Sequence, residues 1–246
     1  GMATLCRQSE VKQIKALFVC EPTNNTLGLC EMGTVWLKIL VNGIGCHASM
    51  NHLGVNALEE GIRIYEEFQR KWEKTSFCHP MLGKESCSLT KLYSGVKINM
   101  IPEKAEFYLD IRTVPQANEN CNRHSDLVKM AQEVCRMRMK EKKGLSANVE
   151  ILTDRPALEM KRDSIFIDYL IRITQKAGKK VKCSAVRFYT DASIVLKNIT
   201  VPFVIFGPGD PKECHKTEEK TDISQIKDAV EYYKIFVEGM RETRVF

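Results

Sequence analysis

Between residue 34 and about residue 157 the hydropathy period switches repeatedly between two and three-and-a-half residues. Thr34–Val41 (TVWLKILV) is β-branched and partly alternating, which predicts a strand. From about His52 to Trp72 the spacing of Leu58, Ile62, Tyr65 and Phe68 predicts a helix. Ser88–Tyr93 and Ala105–Thr113 read as strands, joined through Asn99-Met100-Ile101-Pro102. Leu127, Met130, Val134 and Met137 mark a second helix over about 123–142, with Gly144 as its stop, and Ala147–Leu152 closes the series as a strand. The order β-α-β-β-α-β predicts the ferredoxin-like split βαβ unit, one antiparallel sheet with two helices on one face.

The flanks follow a different rule. Lys15–Cys20 and Val201–Phe206 are short apolar runs of the buried, parallel-strand type, and Val181–Phe188 is a third strand. Ser164–Ala177 is helical, and a last helix starts at Asp222, with Ile226, Val230, Tyr233, Val237 and Met240 as its stripe. The fold class is therefore α/β (α+β), with residues 34–157 inserted into a layer formed by 1–33 and 158–246. About three strands make a thin sheet for those helices, which predicts that part of this layer is absent from the chain or supplied by another one.

Composition narrows the classes. At 43% hydrophobic and 28% charged residues the chain has a normal globular balance. No long uninterrupted apolar run is present, so no membrane span is expected. A net charge of +6 from 37 basic and 31 acidic residues is modest, and its lysines are dispersed, which argues against nucleic acid as a partner. An RNA-binding surface on the ferredoxin-like sheet needs stacking aromatics on one face. The adjacent Phe107 and Tyr108 point to opposite faces. The ten cysteines include no C-x-x-C pair and sit where small apolar residues belong. The start of the chain lacks a signal-peptide pattern, so a cytoplasmic protein with reduced thiols is expected.

Several residues have a chemical reading beside an ordinary one. Glu21 follows a buried strand, where open α/β sheets gather their ligands; alone, a loop carboxylate of this kind is more often ordinary surface. His215 follows Gly207-Pro208-Gly209 and precedes a helix, as a metal ligand or a solvated loop histidine. Asp191 is a supporting carboxylate or a turn former. Arg112 near a strand end can fork onto a carboxylate, Asn99 can bind a carbonyl or shape a connection, and His47 in a glycine-rich loop can donate to an oxyanion. Taken singly, Arg112 and His47 are more often plain surface residues.

Taken together the motifs are more telling. EPT (21–23), GTVWLKILVNGIGCHAS (33–49), GVNAL (54–58), INMIP (98–102), LDIR (109–112), TDAS (190–193), VPFVIFGPG (201–209) and HKTEE (215–219) follow one another in a characteristic order. This set resembles the dinuclear-zinc amidohydrolases and metallopeptidases that include acetylornithine deacetylase, succinyl-diaminopimelate desuccinylase, aminoacylase and carboxypeptidase G. The resemblance implies that residues 34–157 are the lid, or dimerisation, domain and that the flanks are a partial catalytic layer. It implies Glu21 and His215 as ligands, one to each of two zinc ions. It also implies His47 as the lid histidine that steadies the tetrahedral intermediate in a partner's site. Asn99 and Arg112 are similar to residues holding the substrate's carbonyl and carboxylate, and Gly207 and Gly209 to a pocket loop. A homodimer through the lid, acting on a small N-acyl amino acid or peptide, is the implied assembly.

The family pattern also needs a His-x-Asp motif, a bridging Asp and a Glu-Glu pair, and before Glu21 the only carboxylate is Glu10. Asn51 stands where the family usually has proline. The chain is therefore expected to be the C-terminal part of such an enzyme, to hold metal weakly and to be inactive alone. A non-catalytic dimerisation module is the alternative.

Overall fold

In a computed structural model, residues 1–117 and 122–242 are described. The strands in chain order are β1 (Leu17–Val19), β2 (Leu27–Glu31), β3 (Gly33–Asn42), β4 (Cys46–His47), β5 (Cys78–His79), β6 (Gly83–Lys84), β7 (Ser86–Ser94), β8 (Met100–Ile101), β9 (Lys104–Thr113), β10 (Ser146–Arg155), β11 (Leu158–Glu159), β12 (Cys183–Val186) and β13 (Phe203–Ile205). The helices are α1 (Met2–Leu5), α2 (Ala57–Thr75), α3 (Arg123–Glu141), α4 (Ile165–Lys176), α5 (Ala192–Val195) and α6 (Ile223–Glu242). The chain divides into two compact units, one of Gly1–Gly33, Pro80–Leu82 and Ala157–Phe246, the other of Thr34–His79 and Gly83–Pro156.

The second unit has the β-α-β-β-α-β order that the periodicity predicts. Its four strands lie in the order β10-β3-β9-β7, with β10 antiparallel to β3 and β7 antiparallel to β9. Strict alternation buries Val35, Leu37, Ile39 and Val41 of β3 together with Ala105, Phe107, Leu109 and Ile111 of β9. Ile64, Phe68 and Trp72 of α2 and Leu127, Ala131 and Val134 of α3 complete that core.

The helix faces differ from expectation. Ile62 and Met137, read as core, are exposed, because the buried stripe runs one or two residues further along each helix. Helix α2 also begins later than His52. Val55 pairs with Ile44, and the Asn56 side chain then caps the helix by accepting from the Leu58 and Glu59 amides. Residues Ala48–Leu53 form a separate 3-10 turn.

The first unit is a mixed sheet in the order β1-β13-β2-β11, with β12 also on β2. β1 is parallel to β13 and β12 to β2, while β13 and β11 run antiparallel to β2. The count of about three strands was too low: the sheet has five. The fully buried β2 went unread because Gly28 and Glu31 break its apolar run and only Met32 separates it from β3. Phe166, Ile167 and Leu170 of α4 and Ala229 and Phe236 of α6 pack on Leu27, Leu29, Val204 and Phe206. The expected α6 stripe is corrected in the same way, since Ile226, Val230 and Val237 are exposed. All nine described cysteines are free thiols. No described helix is long and apolar enough to cross a membrane.

Gly61 tests how tightly α2 seats on the second unit's sheet. A Cβ there would lie 2.0 Å from Cε2 of the fully buried Phe107. Gly61→Ala is expected to lower unfolding free energy by about 1–3 kcal/mol in urea titration, with Phe107→Leu recovering part of the loss in the double variant.

Candidate functional site

In the first unit, the turn after β1 and the loop after β13 are locked together. Gly207 donates its amide to Thr23 Oγ1 at 3.2 Å, and the Gly207 carbonyl accepts from the amides of Thr23 at 3.1 Å and Asn25 at 3.0 Å. Asn24 donates to the Gly209 carbonyl at 2.9 Å. A Cβ on Gly207 would lie 2.7 Å from the Glu21 carbonyl oxygen, and Gly209 has φ +101°. Both glycines are therefore required by the backbone. Asn24 and Asn25 take left-handed φ values of 53° and 54°, which asparagine tolerates well.

This lock holds Glu21 half-buried. Loss of water raises its pKa above the ordinary carboxylate value. The nearby Asp191 carboxylate raises it further, and the His215 imidazole opposes the rise. His215 is exposed, takes φ +63° and donates its backbone amide to Glu219 Oε2 at 3.0 Å. Of the residues singled out in the sequence, Glu21, Asp191, His215, Gly207 and Gly209 thus gather in one region.

Glu31 belongs to the same electrostatic neighbourhood, and the sequence reading missed it. Its side chain is fully buried at the end of β2. Oε2 accepts the Thr190 amide at 3.0 Å, while Oε1 is buried with no hydrogen-bond partner. Thr190 in turn accepts from the Ala192 amide, and its carbonyl from Ser193 Oγ, so Glu31 anchors the turn that presents Asp191. Burial, with Glu21 and Asp191 adding to it, pushes the Glu31 carboxyl up to about 7 against the pull of its Thr190 hydrogen bonds. A carboxylate ending a fully apolar segment was the signal available in LGLCE.

In the second unit, His47 and Asn99 come together. β4 pairs with β8, setting His47 opposite Met100, and the Ala48 amide donates to the Asn99 carbonyl at 2.9 Å. His47 is exposed and its Nδ1 lies 2.7 Å from Ser49 Oγ. Arg112 stands apart from them: it is eight residues along β9 from Lys104, or about 25 Å at strand rise. Its Nε and Nη2 fork onto Asp110 at 2.8 and 2.9 Å.

The donors present do not make a zinc centre. A catalytic zinc takes about three protein ligands and a water. Among the described residues no three His, Cys, Asp or Glu side chains stand together as such a set.

The raised Glu31 pKa fixes a pH dependence. Below the unfolded carboxyl's pKa of 4.5 both states are protonated and its stability contribution is whole. As pH climbs through about 7 the unfolded chain has already released this proton, and stability falls. Glu31→Gln keeps the acceptor for Thr190 and removes the charge. Relative to the parent, the variant is expected to gain about 3 kcal/mol between pH 5 and pH 8 in urea unfolding. Parallel pH profiles would show that Glu31 is not held neutral by burial.

Residues 31–133 match the M20 peptidase dimerisation domain. A probable succinyl-diaminopimelate desuccinylase of Staphylococcus epidermidis is 23% identical over 261 residues, covering 95% of this chain and 62% of its own length. A LysW-lysine/LysW-ornithine hydrolase of Saccharolobus solfataricus is 25% identical over 229 residues, covering 92% of this chain and 59% of its own. Among solved structures, aminopeptidase PepT of Bacillus cereus superposes with TM-score 0.76 at 15% identity, over 98% of this chain and 62% of that one. The di-peptidase Dug1p of Saccharomyces cerevisiae gives 0.69 at 11% identity, over 99% and 62%. The chain thus spans about three fifths of the length of these relatives. Residues 31–133 are thus an M20 peptidase dimerisation domain, and nearly the whole chain is similar in sequence to a probable desuccinylase and a LysW hydrolase.

Proposed function

We propose that this chain serves the hydrolysis of an amide bond in an N-acyl amino acid or small peptide, of the deacetylase, desuccinylase or carboxypeptidase type. The observation that carries this reading is the convergence of Glu21, Asp191 and His215 beside the Gly207–Gly209 loop, in a chain with a peptidase dimerisation domain. Residues 1–33 and 158–246 act as a partial catalytic layer, and residues 34–157 as a lid that pairs two copies. Glu21 and His215 are metal donors in this reading, Gly207 and Gly209 shape the pocket, Asn99 holds the substrate's carbonyl, and Arg112, about 25 Å away along β9 in the same copy, holds the substrate's carboxylate only where the two residues come from different copies. His47 serves a partner's site, where an imidazole N–H stabilises charge developing on the carbonyl oxygen. In this family two zinc ions supply the activated water. Since the donors here fall short of a zinc centre, the chain alone is catalytically silent.

The dimer reading also has support in the fold. β7 is an edge strand of the four-stranded sheet, open on one side, and lies within the matched dimerisation segment.

Incubated with zinc, the chain is expected to leave N-acetyl- and N-succinyl-amino acids and dipeptides intact, and steady turnover would overturn its silence. A hybrid tests the function itself. This chain would replace the matching segment of the Staphylococcus epidermidis desuccinylase. The hybrid is expected to hydrolyse an N-acyl amino acid, with His47→Ala lowering kcat by about 10²–10³. A folded hybrid without amide hydrolysis counts against the reading.

A further inference from the structure

Helix α6 carries a second apolar stripe that is turned away from the core. Ala229 and Phe236 are buried in the first unit. Ile223, Ile226, Val230 and Val237 are instead 68%, 45%, 48% and 56% exposed. With the partly buried Tyr233 and Met240 they follow one another at intervals of three, four, three, four and three residues. That is the a/d spacing of a coiled coil, with the β-branched Ile223, Val230 and Val237 at a. A single exposed aliphatic residue is ordinary, but a seam sustained over about five turns of helix is not.

The two flanks of the seam differ. The g positions, Ala229 and Phe236, lie in the core, so only the e flank is open to a partner. That flank is Lys227, Lys234 and Arg241, all exposed and seven residues apart. Lys234 meets Glu231 at 2.9 Å, an exposed pair too weak to cancel the row's charge. At the C-terminal end, a cavity of about 660 Å³ bordered by Ile14, Phe18, Val237 and Met240 is wide enough for a large apolar side chain.

These features select the occupant. In an antiparallel pair of two copies the basic row would face itself, and in a parallel pair it would have to meet the buried Ala229 and Phe236 flank. An anionic membrane is also a poor match, because the charged residues from Ile223 to Arg241 are three basic and three acidic. An apolar seam with an acidic flank complements both the stripe and the row.

We propose that the outer face of α6 docks an amphipathic helix of a different polypeptide, with aliphatic side chains on its seam and acidic ones on the flank that meets Lys227, Lys234 and Arg241. The aliphatic stripe supplies the contact, and the basic row selects the partner and sets its register.

Fluorescence anisotropy with a labelled synthetic peptide tests it: three heptads, leucine at a and d, glutamate at e and g. The parent chain is expected to bind this peptide saturably, and the same peptide with lysine in place of glutamate about ten-fold more weakly. Val230→Asp/Val237→Asp should weaken binding of the acidic peptide about ten-fold or more, and should keep the parent's circular dichroism because both side chains lie in solvent. Lys227→Glu/Lys234→Glu, which leaves the seam intact, should reverse the preference between the two peptides. No saturable binding, equal binding of both peptides, indifference to Val230→Asp/Val237→Asp or an unreversed preference would each overturn the proposal. So would flotation with phosphatidylglycerol vesicles that Val230→Asp/Val237→Asp abolishes, or a parent dimer that the same variant dissociates.

Discussion

The candidate site depends on how closely the backbone after β1 approaches the backbone after β13. Gly207 has no room for a side chain against the Glu21 carbonyl, and the hydrogen bonds from Thr23, Asn24 and Asn25 to Gly207 and Gly209 fix that approach. Parallel pairing of Leu17–Val19 with Phe203–Ile205 brings the two turns to the same edge of the sheet. Apolar burial beneath the strands supplies the rigidity: Phe206 packs edge-on against Tyr233 and Phe236 of α6, and Tyr233 donates its hydroxyl to the Phe206 carbonyl. Glu21 is thus presented from a frame with little freedom, as a chemically useful carboxylate must be.

Electrostatics give this edge its character. Glu21 and Glu31 both have raised pKa values, and Asp191 contributes to each. Carboxylates held near one another with incomplete solvation favour a proton or a cation between them. Yet the described donors do not form a metal set, so the field is present without the ligand cage. Glu31 has a role separate from that field: its one satisfied oxygen secures the Thr190 amide and with it the turn that bears Asp191.

Much of the second unit was legible because its strands obey a two-residue period and its two long helices carry clear caps and stops. Its helix faces were harder. Met137 and Ile62 are as apolar as their buried neighbours Val134 and Ile64, and only tertiary packing decides which stripe turns inward. In the first unit, Leu27–Glu31 was unreadable as a strand, since a buried glycine and a buried glutamate contradict the usual signal. Gly28 is small because the Ile205 backbone lies 3.0 Å from where its Cβ would be. The candidate residues were found by motif order, and no local pattern could show that Arg112 lies far along β9 from His47 and Asn99, or that Asp110 occupies its guanidinium.

The edge bearing Glu21 and His215 gathers the right kinds of group, but among the described residues too few of them to form a zinc centre. Isothermal titration of the purified, metal-free chain with zinc at neutral pH tests this directly. At most weak binding is predicted, with Glu21→Gln and His215→Ala titrating nearly as the parent does. Two equivalents of zinc bound tightly per chain, and lost in either variant, would contradict it.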